Sequence, residues 1–208
     1  MPKPTTLAYS SEVHVLSSND LTLDKRKAGL VVIDLQKGVT SMETKPYDVR
    51  AVISNAAKLA EAFRANRMPV FLVHVEFSKG TALQPIADMV MPSRGEVPPD
   101  WADIVPELGP MPGDVVITKR QWGAFYGTDL DLRLRRGRLD TIVLAGIATT
   151  YGVESTARFA YEYGYQQVFA EDAMSDRSVE AHQSSIDFVL KRLGRVRKTA
   201  EILQALKA

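Results

Sequence analysis

Five short apolar runs recur along this chain: Ala28–Asp34, Met68–Val75, Asp114–Thr118, Thr141–Ala145 and Gln167–Ala170. Each is a continuous hydrophobic run bounded by charge or turn residues, the pattern of a strand buried on both faces. Helical patterns alternate with most of them. Asp48–Asn66 sets Val52, Ile53, Ala56, Leu59, Ala60 and Phe63 on one face of a helix. Leu130–Arg138 is a short basic helix, Val153–Tyr163 a helix closed by Gly164, and Ser178–Leu193 a further helix. Arg195–Lys198 reads as a sixth short strand, with Thr199 as cap of a last helix to Leu206. Strands that alternate with helices predict an α/β fold in three layers: a mostly parallel six-stranded, Rossmann-like sheet with helices on both faces.

The alternation fails at 78–112, where seven prolines (Pro85, Pro92, Pro98, Pro99, Pro106, Pro110 and Pro112) forbid a long regular element. Trp101, Ile104, Val105 and Leu108 give that stretch apolar anchors, so it reads as an ordered excursion. Residues 1–27 read as an N-terminal extension with one short alternating stretch, Glu12–Leu16, and 28–208 as a single domain. A formal net charge of +1 gives no field directed at nucleic acid or a membrane surface. No run approaches the about 18 apolar residues of a membrane span, and the start lacks the apolar core of a secretory signal. A cytoplasmic location is expected. The chain has no cysteine, which excludes disulfides, thiolate metal sites and a thiol nucleophile.

In a sheet of this kind, ligands bind beyond the carboxyl ends of the strands, where the strand order reverses. That rule selects Asp34, His74, Lys119 and the turn 146–152. Asp34 closes the first strand, where a carboxylate serves acid–base work or merely caps a loop. Lys119 is followed by Arg120, Trp122, Phe125 and Tyr126, punctuated by Gly123 and Gly127, a composition suited to a small pocket wall or to covering a sheet edge. Between the fourth strand and its helix, Gly146 to Gly152 offers backbone N–H groups near Thr150–Val153 that suit an oxyanion or carboxylate, or ordinary capping. Neither a GxGxxG nor a GxxxxGK[ST] pattern is present, so no nucleotide cofactor is expected. His14, His74 and His182 show no metal-ligand spacing, and no metal is expected. Glu171 and Asp172 read as loop or capping residues. Ser155 and Thr156 have no histidine placed in sequence to activate them.

Three ordered blocks together resemble the isochorismatase-like, or cysteine hydrolase, family over roughly residues 28 to 206. They are Asp34-Leu-Gln36 after an apolar strand, Lys119-Arg-Gln-Trp-Gly-Ala-Phe-Tyr-Gly-Thr, and Gly146-Ile-Ala-Thr149-Thr-Tyr-Gly152-Val-Glu-Ser-Thr156-Ala157-Arg-Phe-Ala160. Tyr163-Gly164-Tyr165 and Glu171-Asp172-Ala173 follow. Amidases of that family use an Asp–Lys–Cys triad. The resemblance sets Asp34 and Lys119 in the first two places and Gly152 in the third, which closes the covalent route.

What remains is similar to family members that cleave a vinyl ether without a nucleophile. The resemblance then implies Asp34 as general acid. It must carry a proton to act, which burial favours and a charged Lys119 nearby opposes. Gln36, His74, Arg120, Trp122, Phe125, Tyr126, Ile147, Ala148, Thr150, Tyr151 and Val153 are the implied substrate contacts, with space at Gly152 for substrate or water. A cis peptide is expected near Ile147–Ala148. The partner implied is a small carboxylated molecule, and a dimer or tetramer is the common assembly, with 78–112 a candidate contact. The alternative is a catalytically inactive member that binds a small molecule or a partner subunit.

Overall fold

A computed structural model describes residues 21–77, 83, 85–89 and 97–207. Residues 1–20 of the proposed extension lie outside the described residues. The strands are β1 (Ala28–Ile33), β2 (Val70–Val75), β3 (Val115–Lys119), β4 (Thr141–Ile147), β5 (Gln166–Ser175) and β6 (Arg195–Arg197). They form one sheet in the order β3-β2-β1-β4-β5-β6, and every neighbouring pair is parallel. The order reverses between β1 and β4, and the crevice this opens lies at their carboxyl ends.

Residues alternate between the two faces of the sheet, which separates two cores. Leu30, Val32, Val70 and Leu72 face helices α1 (Val49–Ala65) and α6 (Thr199–Ala205). Val31, Ile33, Phe71 and Val73 face α2 (Leu130–Arg136), α3 (Glu154–Glu162) and the segment 179–193. That segment runs as α4 (Val179–Ser185), a π-helical stretch (Ile186–Leu190) and α5 (Lys191–Leu193). No helix among the described residues is long and apolar enough to cross a membrane.

Several boundaries differ from the sequence reading. β5 is ten residues long instead of four, because pairing resumes past a bulge and sets Met174 against Gly146 and Ser175 against Ile147. Glu171 and Asp172, expected in a loop, therefore lie within a strand. Thr199 is not the cap of α6. Its N–H and hydroxyl both donate to Asp172 Oδ1, while Lys198 is the capping residue and its N–H donates to Glu201. Lys119 ends β3 rather than following it. The described part of the excursion packs as expected, with Val105 and Leu108 buried and Ile104 bridged to Gln36.

Candidate active site

At the end of β1 the backbone turns sharply. Asp34 adopts a φ of 52°, in the left-handed region that L-residues seldom enter. The neighbouring strand makes room for this. Gly146, at φ 124°, has its backbone so close that a Cβ would stand 2.0 Å from the Ile33 carbonyl oxygen. Only glycine fits at that position.

The carboxylate this turn presents is buried and ion-paired. Lys119 Nζ lies 2.7 Å from Asp34 Oδ2, with the two side chains 2% and 9% exposed. The ammonium also donates to the carbonyl of Gln121 at 3.1 Å. Lys119 reaches Asp34 because β3 and β1 flank β2 in parallel and both end at the same edge.

Facing the pair is a π-helical turn, Thr149–Val153, that leads directly into α3. A Cβ built on Gly152 would lie 3.2 Å from Asp34 Oδ2, 2.8 Å from Ile33 Cγ2 and 3.5 Å from the Trp122 carbonyl oxygen. The position is in close contact rather than open, so the expected free space at Gly152 is corrected: glycine lets the turn pack directly on Ile33 and Asp34. The Ile147–Ala148 peptide before the turn is cis. Trp122 and Tyr151 meet edge to face at 4.8 Å on the solvent side, and Tyr126 is more than half exposed nearby in sequence. Arg120, next to Lys119, pairs with Glu76 at 3.3 Å and is partly exposed.

Other candidates are placed elsewhere. Gln36 is wholly buried and spends its amide on the backbone, accepting from Val75 N and donating to Val75 O and Trp101 O. Both ring nitrogens of His74 are engaged, with the Ala102 carbonyl and the Thr118 hydroxyl. Those two residues anchor the excursion. Phe125 lies in the core against Tyr163 and Tyr165, and Ile147 and Val153 are core residues as well. Three of the N–H groups expected in a nest at Thr150–Val153 are spent within the chain. Thr150 N donates to Asp176, and Tyr151 N and Val153 N both donate to Ala148 O.

Sequence reasoning missed the groups that hold this turn. Asp176, 2% exposed, accepts from Thr150 N at 2.7 Å, Thr150 Oγ1 at 2.8 Å and Arg177 N at 2.7 Å. It supplies the negative charge that a helix start favours. His182, fully buried on α4, bonds Thr149 Oγ1 through Nδ1 at 2.9 Å and approaches Glu171 Oε1 at 3.5 Å through Nε2. Glu171 also accepts from Tyr47 and Lys198. Burial alone pushes the Glu171 carboxyl up, but hydrogen bonds from His182, Lys198 and Tyr47 outweigh it and hold the group down at about 2. Thr156 joins the turn to the 120s loop, donating to Gly152 O and accepting from Ala124 N. No local sequence signal marks His182 as facing inward, because its partners Thr149 and Glu171 are distant in the chain. Among the described residues no cluster of three or more acidic or histidine side chains is arranged to hold a metal.

Comparison with known proteins agrees with this architecture. A family model for the isochorismatase domain matches residues 28–201. The isochorismatase family protein YwoC of Bacillus subtilis is 49% identical over 191 residues, covering 91% of this chain and 99% of the relative. YecD of Escherichia coli O157:H7 is 48% identical over 188 residues, covering 89% and 100%. The structure of an isochorismatase family protein from Burkholderia thailandensis superposes with a TM-score of 0.85 at 44% identity, covering 90% of this chain and 98% of that one.

Proposed function

This chain belongs to the isochorismatase family of hydrolases, and from that premise we propose that it hydrolyses a vinyl ether of a small carboxylated molecule without a covalent intermediate. The observation that carries this reading is the buried Asp34–Lys119 pair facing Gly152. The triad positions of the amidases correspond to Asp34, Lys119 and Gly152. With glycine in the third, an acid and a cation remain and no nucleophile.

A vinyl ether needs no nucleophile from the protein. Asp34, ion-paired with Lys119 at rest, takes up a proton from solvent as the cycle opens and delivers it to the terminal methylene carbon. The C=C electrons form the new C–H bond, and the ether oxygen stabilises the resulting oxocarbenium ion. Water adds to the cationic carbon and gives its proton back to the Asp34 carboxylate. The hemiketal then collapses: its hydroxyl forms the C=O bond as the ether C–O bond breaks, and the hydroxyl proton passes to the departing oxygen, releasing pyruvate and an alcohol. Lys119 steadies the carboxylate in the half of the cycle when it is charged. Asp176 already occupies Thr150 N at the turn, so Arg120, beside Lys119 in sequence and partly exposed, is the side chain offered to the substrate carboxylate. Trp122 and Tyr151, in edge-to-face contact, form an exposed aromatic rim.

The test is incubation with isochorismate, with pyruvate followed through a coupled dehydrogenase. Pyruvate release is expected from the native chain and not from Asp34→Asn. If a folded native sample releases none, isochorismate is not the substrate. Saturable binding of small carboxylates without turnover would then favour the non-catalytic, ligand-binding alternative.

A further inference from the structure

The opposite edge of the sheet, at the amino-terminal ends of β2 and β3, carries a second concavity of about 690 Å³. Its rim holds Lys25, Arg26, Arg67, Arg133 and Arg136 against a single carboxylate, Asp129. Its floor is apolar, made by Pro69, Phe71, Val115 and Leu139, with Leu132 more than half exposed at the side. Cations and anions are nearly balanced over the whole chain, 26 against 25, so this segregation is local.

Helix ends account for only part of it. Asp129 answers Arg133 at 2.6 Å, and Asp24 answers Arg26 at 3.3 Å. Lys25, Arg67 and Arg136 have no acidic partner among the described residues. The carboxyl ends of α1 and α2 each contribute roughly half a negative charge, which offsets about one of those three cations. About two positive charges remain beside an apolar floor.

A second observation concerns the backbone. Arg67, just past α1, and Arg138, just past α2, both lie in the left-handed region at φ 56°. Glycine or asparagine is the inexpensive residue at such a helix end. The chain places a guanidinium there twice, on this one edge, and Arg67 lines the cavity.

We propose that this cavity binds an organic phosphate monoester, with its phosphate held by Arg67, Arg136 and Lys25 and its apolar body on the Pro69–Leu132 floor. A phosphate monoester carries close to two negative charges at neutral pH, which matches the residual charge of the rim. Guanidinium groups pair with phosphate oxygens two at a time. The site is separate from the Asp34 crevice, which lies at the other ends of the strands.

The experiment is titration calorimetry of the full chain at low salt with adenosine 5′-monophosphate, inorganic phosphate and adenosine. The nucleotide is expected to bind saturably, and each fragment roughly tenfold more weakly or worse. Arg67→Gly should weaken nucleotide binding roughly tenfold. The same change relieves the left-handed backbone, so its melting temperature should hold or rise by a few degrees. Arg136→Ala, on an exposed helix position, should weaken binding in the same way. The proposal is overturned by any of three results: no saturable binding at millimolar nucleotide, unchanged affinity in both variants, or inorganic phosphate binding as tightly as the nucleotide. Binding lost in Asp34→Asn instead would assign the ligand to the other crevice and also overturn it.

Discussion

Gly152→Ala tests whether the turn is packed as tightly as its geometry indicates. In a helical setting alanine is favoured over glycine by about 1 kcal/mol, so propensity alone predicts stabilisation. Packing predicts the reverse. The added methyl would stand 2.8 Å from Ile33 Cγ2 and 3.2 Å from Asp34 Oδ2. Ile33 is fully buried on a central strand and is β-branched, so its χ1 has little freedom to yield. Asp34 is held by Lys119 at 2.7 Å. Overpacking of this kind costs about 1–3 kcal/mol, enough to cancel or exceed the helical gain. The net expectation is a loss of about 0–2 kcal/mol, and in a chain of this length a melting temperature unchanged or lowered by up to about 8 °C. Differential scanning calorimetry of the native chain and Gly152→Ala measures it. A double-mutant cycle with Ile33→Ala identifies the cause, because removing Cγ2 should make Gly152→Ala neutral or favourable. A raised melting temperature in Gly152→Ala on the native background would refute the reasoning, since it would mean that the turn has room for a side chain.

Two further predictions concern the groups behind that turn. Asp176→Ala leaves Thr150 N, Thr150 Oγ1 and Arg177 N without their acceptor, and should cost about 2–4 kcal/mol in urea unfolding. Thr150→Val, which keeps the N–H bond, should cost about 1 kcal/mol, and losses within error for both would show that the clamp is idle. Glu171 is held at about 2 from an ordinary value of 4.5, so its contribution is fully present above pH 4.5 and is lost as pH falls toward 2. After allowance for solvent on the Lys198 side, this amounts to on the order of 1–2 kcal/mol. The melting temperatures of the native chain and Glu171→Gln should therefore converge across that window, and a constant gap from pH 6 to 2 would contradict the pairing.

The sequence made the layers legible because each depends on local patterns. Continuous apolar runs mark strands covered on both faces, and Val52 to Phe63 marks a helix with one buried face. The Asp34–Lys119 edge was legible for the same reason, since each residue ends its own strand. What escaped depends on partners distant in the chain. β5 was read as ending at Ala170 because Glu171 and Asp172 are charged, yet Tyr47, Lys198 and Thr199 satisfy them there. Asp176 meets Thr150 only because β4 and β5 pair beyond a bulge, a register no local pattern encodes. Gln36 and Phe125 were drawn to the site by sequence proximity to Asp34 and Lys119, and His74 by its place at the end of the second strand. Strand alternation and the excursion turn them elsewhere.

The energetics of the Asp34–Lys119 pair bear on what the crevice is for. Burying both charges forfeits several kcal/mol of hydration per ion, and an apolar pair of similar volume is often as stable or more so. Stability is therefore a poor reason for this pair to stand, nearly without solvent exposure, at the switch point of the sheet. The same edge carries Asp34 at a left-handed φ, made possible by a glycine on the adjoining strand. It also carries a turn fixed by Asp176 at one residue and His182 at the next. Unfavourable backbone and buried charge persist together only where the surroundings over-determine them. Here the surroundings fix three things about one small volume: a carboxylate, its counter-charge and a glycine where a larger residue would collide. A site that merely held a ligand would be served by hydrogen-bond donors facing the crevice. The structure instead spends the N–H groups of Thr150, Tyr151 and Val153 on its own chain and leaves an acid in contact with the turn. That division of roles supports proton transfer at Asp34.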